Sequence, residues 1–233
     1  MLDIRKNIEN LWQRIEEVCN KIDRKKEEIE IVAISKGVDI ERIKEAINCG
    51  LNKIGENRVQ EAIKKISLIN NQFKNIEWHF VGHLQTNKVK KVVKYFSCVQ
   101  SVDRVELVDE LEKVCKKEDK IMRVFIQVNT SFEDTKFGIS PEDLDKLVEY
   151  VLNQPHLKLE GLMTLGPVSA IENKENSRKS FRLLYELREK VKEKFKISLP
   201  YLSMGMSSDF EVAIEEGANI IRIGTLIFGP RNQ

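Results

Sequence analysis

Eight short apolar runs punctuate this sequence, each separated from the next by a segment of helical periodicity. They fall at 30–36, 53–57, 78–82, 98–102, 122–129, 157–165, 200–204 and 220–224. Runs such as Ile31-Val32-Ala33-Ile34 read as strands buried on both faces, the condition of a parallel sheet covered by helices. Strict strand–helix alternation with short connections leads to the same place, because parallel neighbours need helical crossovers. Eight units in 233 residues predict a closed (β/α)8 barrel of the TIM type. An open doubly wound sheet is the rival, but no glycine-rich dinucleotide fingerprint opens the chain.

Ahead of the first strand, Ile4, Ile8, Leu11, Ile15, Val18 and Ile22 recur at spacings of three and four. They predict an extra amphipathic helix over 4–28. Asp39 and Asp103 are placed to cap helices, and Ser140-Pro141-Glu142-Asp143 is a strong helix start. Further helices are predicted over 58–69, 86–95, 173–194 and from Asp209 to Gly217. No linker, repeat or low-complexity stretch divides the sequence, so residues 1–233 are expected to form one domain.

The charge balance is +2, so no strong attraction to nucleic acid follows. The cysteines at 19, 49, 98 and 115 show neither zinc nor disulfide spacing, which fits reduced thiols in the cytoplasm. No run approaches a membrane span and no signal peptide precedes the first helix.

A barrel of this kind carries its site at the C-terminal ends of its strands. Lys36 ends the first strand, where partial desolvation favours a nucleophilic amine suited to Schiff-base chemistry; the local pattern alone favours the plainer reading, a surface lysine opening a loop. Asn57 ends the second strand. Ser203, Met204 and the turn Gly205-Met206-Ser207-Ser208-Asp209 follow the seventh. Ser207 and Ser208 read as a phosphate site at a helix start, or as helix caps alone. Gly224 and Thr225 offer a second phosphate contact after strand eight. Arg222 shares the face of Gly224 and, if buried, needs a partner: an acidic side chain, or a ligand ring nitrogen.

Six segments carry a family resemblance: AISKG around Lys36, GENRVQE at 55–61, WHFVGHLQTNK at 78–88, LMTLGP at 162–167, SMGMSSDFEVAI at 203–214 and RIGTLIFGPR at 222–231. They resemble the pyridoxal phosphate homeostasis protein family, single-domain relatives of the alanine racemase N-terminal barrel. The resemblance implies that Lys36 binds pyridoxal 5′-phosphate (PLP) covalently as a Schiff base. It implies that Ser207, Gly224 and Thr225 hold the phosphate, that Arg222 faces the pyridine nitrogen, and that Asn57 and Met204 lie beside the cofactor. Leu226 departs from the alanine common at that place in the family.

An arginine cannot accept a proton, so opposite the ring nitrogen it favours neutral pyridine, a weaker electron sink. The resemblance also places a racemase's second base, a tyrosine, on a further domain, whereas the tyrosines here, at 95, 150, 185 and 201, fall on helices or at a strand start. The expected function is therefore a PLP carrier and buffer in PLP and amino-acid homeostasis, with apo PLP-dependent enzymes as possible recipients. A weak amino-acid racemase using Lys36 as its one base is the alternative. A monomer is expected, with no nucleic acid, membrane or metal partner. His79 and His83 fall on and just after a strand, which discounts zinc. Lys88, Lys90, Lys91 and Lys94 read as a solvated outer helix face. Lys136, in the polar loop at 130–138, is within reach of the barrel mouth for a lid or PLP-transfer role.

Overall fold

The structure, a computed structural model, describes residues 3–230. Its strands are β1 (Glu30–Ile34), β2 (Lys53–Glu56), β3 (Glu77–Phe80), β4 (Cys98–Val102), β5 (Met122–Gln127), β6 (Leu157–Met163), β7 (Tyr201–Ser203) and β8 (Ile220–Ile223). All pair in parallel and in chain order, and β8 closes on β1, with Val32 opposite Arg222 and Ala33 opposite Ile223. The barrel reading holds, and the open sheet is excluded.

Helices α1 (Ile4–Lys21), α2 (Ile40–Asn48), α3 (Val59–Asn70), α4 (Val89–Tyr95), α5 (Val105–Lys117), α6 (Leu144–Leu152), α7 (Arg178–Phe195), α8 (Phe210–Glu215) and α9 (Thr225–Phe228) surround the strands. The extra helix is present as α1 but ends at Lys21, because Asp23 turns left-handed at φ 55° and a 3-10 turn over Lys26–Glu28 leads into β1. Its buried stripe, from Ile4 to Cys19, packs on α2, α8 and α9. Polar contacts fix it there: Asn7 Nδ2 donates to the Ile227 carbonyl at 2.9 Å, and Arg14 pairs with Glu211 at 2.8 Å. Each of its fully buried aliphatic side chains contributes about 1.5–3 kcal/mol of transfer free energy.

Asp39 caps α2 as expected, accepting from the Arg42 N–H at 3.0 Å. Asp103 does not cap α5: Arg104 holds the cap position, and the Asp103 carboxylate turns to the Arg104 guanidinium at 2.6 Å. The segment before α7 is broken into 3-10 turns at Val168–Ile171 and Lys174–Ser177. Helix α9 was not expected from the sequence.

Alternation along the strands separates two cores. Residues such as Ile31, Ala33, Ile221 and Ile223 join the large apolar layer between strands and helices. Val32, Cys98, Phe125, Met163 and Ile220 pack together inside the barrel. Below them, at the strand starts, the interior is ionic: Arg123 bridges Glu77 at 2.6 Å and Glu160 at 2.5 Å, and Lys53 lies 3.5 Å from Glu30. Among the described residues no helix is long and apolar enough to cross a membrane.

Candidate functional site

Parallel strands bring all eight C-terminal ends to one face. Lys36 stands there, half-buried, in the turn just past β1. The turn is held from both sides. On one flank, Ser35 Oγ donates to Glu56 Oε1 at 2.5 Å, and Lys65 Nζ donates to the Ser35 carbonyl at 2.5 Å. On the other, the Gly37 N–H donates to Glu61 Oε1 at 2.7 Å. Lys65 joins the two flanks, donating to Glu56 at 2.7 Å and Glu61 at 2.6 Å. Ser35 and Glu56 are wholly buried. Burial pushes the Glu56 carboxyl up despite Lys65 and Ser35. Burial also acts upward on Glu61, but the hydrogen bonds from Lys65 and Gly37 outweigh it and hold that carboxyl below its usual range. The sequence reading missed this clamp. The Glu61–Lys65 spacing of four on α3 was the available signal.

Across the β1–β8 seam, Gly224 follows β8. A Cβ there would lie 3.4 Å from the Ile34 carbonyl oxygen, so the backbone after β8 passes close to the start of the Lys36 turn. Ser207 Oγ accepts from the Leu226 N–H at 3.4 Å, joining the β7 and β8 loops into one cradle. Thr225 is exposed at the start of α9 and Ser208 is exposed beyond Ser207. Asp209 is not a helix cap by its side chain. Its carboxylate accepts from the Met206 N–H at 2.7 Å and from Ser177 Oγ at 2.7 Å, which fixes the turn that presents Ser207.

Arg222 projects inside the barrel and is buried. Among the described residues it makes no ion pair, and Asp209 acts on it only through its field. It donates to Ser203 Oγ at 2.8 Å and to the Thr164 carbonyl at 2.6 Å. Burial pushes it down to about 10. The hydroxyl that accepts from it, Ser203, must give its own proton to Gln100 Oε1, 2.6 Å away. Gln100 Nε2 then donates to His79 Nδ1 at 2.7 Å, which puts the His79 proton on Nε2, 3.5 Å from Glu77. Burial favours that neutral imidazole. A thread of hydrogen bonds therefore runs from Arg222 down to His79, whose Nε2 has no hydrogen-bond partner above the ionic floor. Gln100 and His79 were not read from the sequence as part of a site.

Asn57, half-buried after β2, keeps a buried side-chain oxygen without a partner. Gly82 packs on it: a Cβ at 82 would fall 2.7 Å from both the Asn57 Cβ and its carbonyl oxygen. Gly82→Ala is expected to cost about 1–3 kcal/mol by forcing that backbone aside. Urea unfolding measures it, and an unchanged midpoint would show that the Asn57 segment yields freely.

Met204 is placed apart from the others. Its side chain is buried in the strand–helix layer, so what it could offer a ligand is backbone. Lys136 is held by Glu133 at 2.5 Å and by the Gly166 carbonyl, tying the loops after β5 and β6 together. His83 stacks on Phe137 with ring centroids 3.9 Å apart, and His79 lies inside the barrel. Lys90, Lys91 and Lys94 are exposed as expected, whereas Lys88 is half-buried. Tyr201 sits at the start of β7, stacked on Phe125 inside the barrel, and Tyr150 and Tyr185 lie on α6 and α7.

These residues fit a phosphorylated pyridoxal: an amine on a fixed turn, a hydroxyl and backbone cradle opposite it, a buried guanidinium with only neutral partners, and an unsatisfied buried amide oxygen. Comparison with known proteins agrees. The profile of the family described as alanine racemase, N-terminal domain, matches residues 6–232. A pyridoxal phosphate homeostasis protein from Aquifex aeolicus is 46% identical over 224 residues, covering 96% of each chain. The structure of PipY from Synechococcus elongatus with PLP bound superposes with a TM-score of 0.82 at 28% identity, over 97% of this chain and 100% of that one. An alanine racemase from Clostridium difficile shares the fold at 14% identity and a TM-score of 0.78, over 99% of this chain and 57% of its own. Shared over nearly its whole length, these likenesses establish that the chain belongs to the alanine racemase N-terminal domain family, and within it to the pyridoxal phosphate homeostasis proteins.

Proposed function

We propose that this protein captures PLP on Lys36 and holds it reversibly, as a carrier and buffer in PLP and amino-acid homeostasis. The observation that carries the reading is the clamped Lys36 turn facing the Ser207–Leu226 cradle across one strand seam. In it, Lys36 takes the aldehyde, Ser207, Gly224 and Thr225 receive the phosphate, Arg222 meets the ring nitrogen, and Asn57 and the Met204 backbone flank the ring. The bound cofactor would supply an aldehyde that exchanges reversibly between primary amines. Arg222 is a fixed donor, and its other hydrogen bonds end on neutral oxygens. Nothing in that thread offers a proton to the ring, which supports holding over carbanion chemistry.

The racemase alternative needs an acid–base group facing Lys36 from the other side of the ring. Among the described residues no tyrosine lies at the barrel mouth. We therefore favour the carrier, acting as a monomer in the cytoplasm and passing PLP to apo-enzymes that use it. The test combines two measurements on the purified chain. PLP titration should give saturable visible absorbance at one equivalent. Incubation of the loaded protein with L-alanine should give no D-alanine beyond that formed by free PLP. Lys36-dependent racemisation well above that background would reverse the assignment. Transfer of PLP to an apo-enzyme faster than spontaneous release tests the carrier step.

A further inference from the structure

A cleft of about 530 Å³ opens on the same face, between the segment after β2 and the segment after β3. Asn57, Arg58, Gln60 and the first turn of α3 form one wall, and His83, Gln85 and Lys88 form the other. Its volume is that of a small-molecule pocket. Its lining carries two cations, Arg58 and Lys88, against one acid, Glu61. The ion pairs of this face run through Lys65, Asp103 and Lys136; among the described residues neither Arg58 nor Lys88 forms one, and Arg58 reaches Glu61 only through its field. The acid lining the cleft, Glu61, is already committed to Lys65 and the Gly37 N–H. Asp103, 3.7 Å from His83, is committed to Arg104.

The twelve-residue helix α3 adds to this. Its N-cap is Arg58, with extended backbone and no side-chain cap, so the amides of Val59, Gln60 and Glu61 meet no capping oxygen. Lys88 is the cation that departs from the solvated-face reading of its cluster: it is half-buried at the cleft while Lys90, Lys91 and Lys94 face solvent. Asn57, whose buried side-chain oxygen has no partner, lines the cleft and follows β2, the strand paired with β1.

We propose that this cleft is a second oxyanion site, separate from the Ser207–Leu226 cradle, that takes the carboxylate or phosphate of a small metabolite at the barrel mouth. Arg58 and Lys88 supply the charge, the α3 amides and the Gln60 and Gln85 side chains supply directed donors, and Asn57 accepts from a donor elsewhere on the ligand. The site stands whether or not Lys36 carries PLP.

The test is amide NMR of the full ¹⁵N-labelled chain during titration with inorganic phosphate in one arm and acetate in the other. Saturable shifts at Val59, Gln60 and Glu61 are expected. The probe that saturates at lower concentration identifies the preferred group. Arg58→Ala and Lys88→Ala, singly, should each weaken the effect about tenfold, and should leave the visible absorbance of PLP-loaded protein unchanged. Shifts confined to Ser207, Thr225 and Leu226 would overturn the proposal, since the anion would then be using the cofactor cradle alone. So would the absence of saturation with both probes, or equal affinity in the variants.

Discussion

Replacing Lys36 with alanine is expected to abolish covalent capture of PLP while leaving the barrel folded. The two halves of that expectation have separate grounds. The turn is fixed through Ser35 and Gly37, whose contacts to Lys65, Glu56 and Glu61 involve a backbone carbonyl, a hydroxyl and a backbone N–H. None of them uses the Lys36 side chain, so the stability change should stay within about 0.5 kcal/mol, as for an ordinary surface substitution. The chemistry, in contrast, loses its only amine on this turn. Borohydride reduction of PLP-treated protein followed by mass spectrometry should find the pyridoxyl group on a peptide containing residue 36 in the native chain, and none at that peptide in Lys36→Ala. A trapped adduct of equal yield on another lysine of the variant, Lys136 for example, would move the attachment point. Retained phosphate-competitive, non-covalent binding by the variant would be in keeping with an intact Ser207–Leu226 cradle.

The second large effect belongs to Lys65. Its ammonium is nearly enclosed and serves the buried Glu56, the half-buried Glu61 and the Ser35 carbonyl together. Lys65→Met keeps the stem and deletes the charge. Glu56 is then left buried without its counter-ion, and such broken pairs cost about 3–5 kcal/mol. The pH dependence has a definite sign. Burial already raises the Glu56 carboxyl above its usual range in the folded state. A carboxyl raised on folding binds its proton more tightly in the native chain, so its contribution to stability falls as pH rises through the window above the ordinary carboxylate value. Removing Lys65 raises that carboxyl further and widens the window. The destabilisation measured by urea unfolding should therefore be larger at pH 8 than at pH 5. A cost independent of pH would show that Glu56 is not the group left stranded. PLP capture should also slow in the variant, because both flanks of the Lys36 turn lose their common tie.

Much of the architecture was legible because it rests on local rules. The spacing of Ile4, Ile8, Leu11 and Ile15 could belong only to a helix, and β4 was bounded correctly at Cys98 and Val102 because a turn-prone residue flanks each end. The errors came where tertiary partners override local preference. Asp103 is a good cap by type, yet it faces Arg104 instead. Asp209 does start α8 as read, but its carboxylate braces Met206 and Ser177. The same division runs through the site. Lys36, Ser207 and Gly224 could be noticed because strand ends and glycine–hydroxyl pairs have meaning in one dimension. Lys65 left only its spacing of four from Glu61 as a signal, since a lysine in an amphipathic helix looks solvated until β1 and β2 are seen to deliver Ser35 and Glu56 to it. Met204 was read as part of the strand end, but strand alternation turns its side chain to the opposite layer from Ser203.

The thread inside the barrel makes this protein directional in a way its strand order alone does not. Because Arg222 can only donate, each successive group is left one permitted role: Ser203 passes its hydrogen downward, Gln100 holds one amide orientation, and His79 holds one tautomer. The interior thus behaves as a single ordered register of hydrogens rather than a set of independent bonds. Reversing any one member would strand a donor against a donor in a place that water does not reach. The register ends at His79, whose Nε2 has no hydrogen-bond partner, so the Glu77–Arg123 pair at the strand starts reaches it only by its charge, across 3.5 Å.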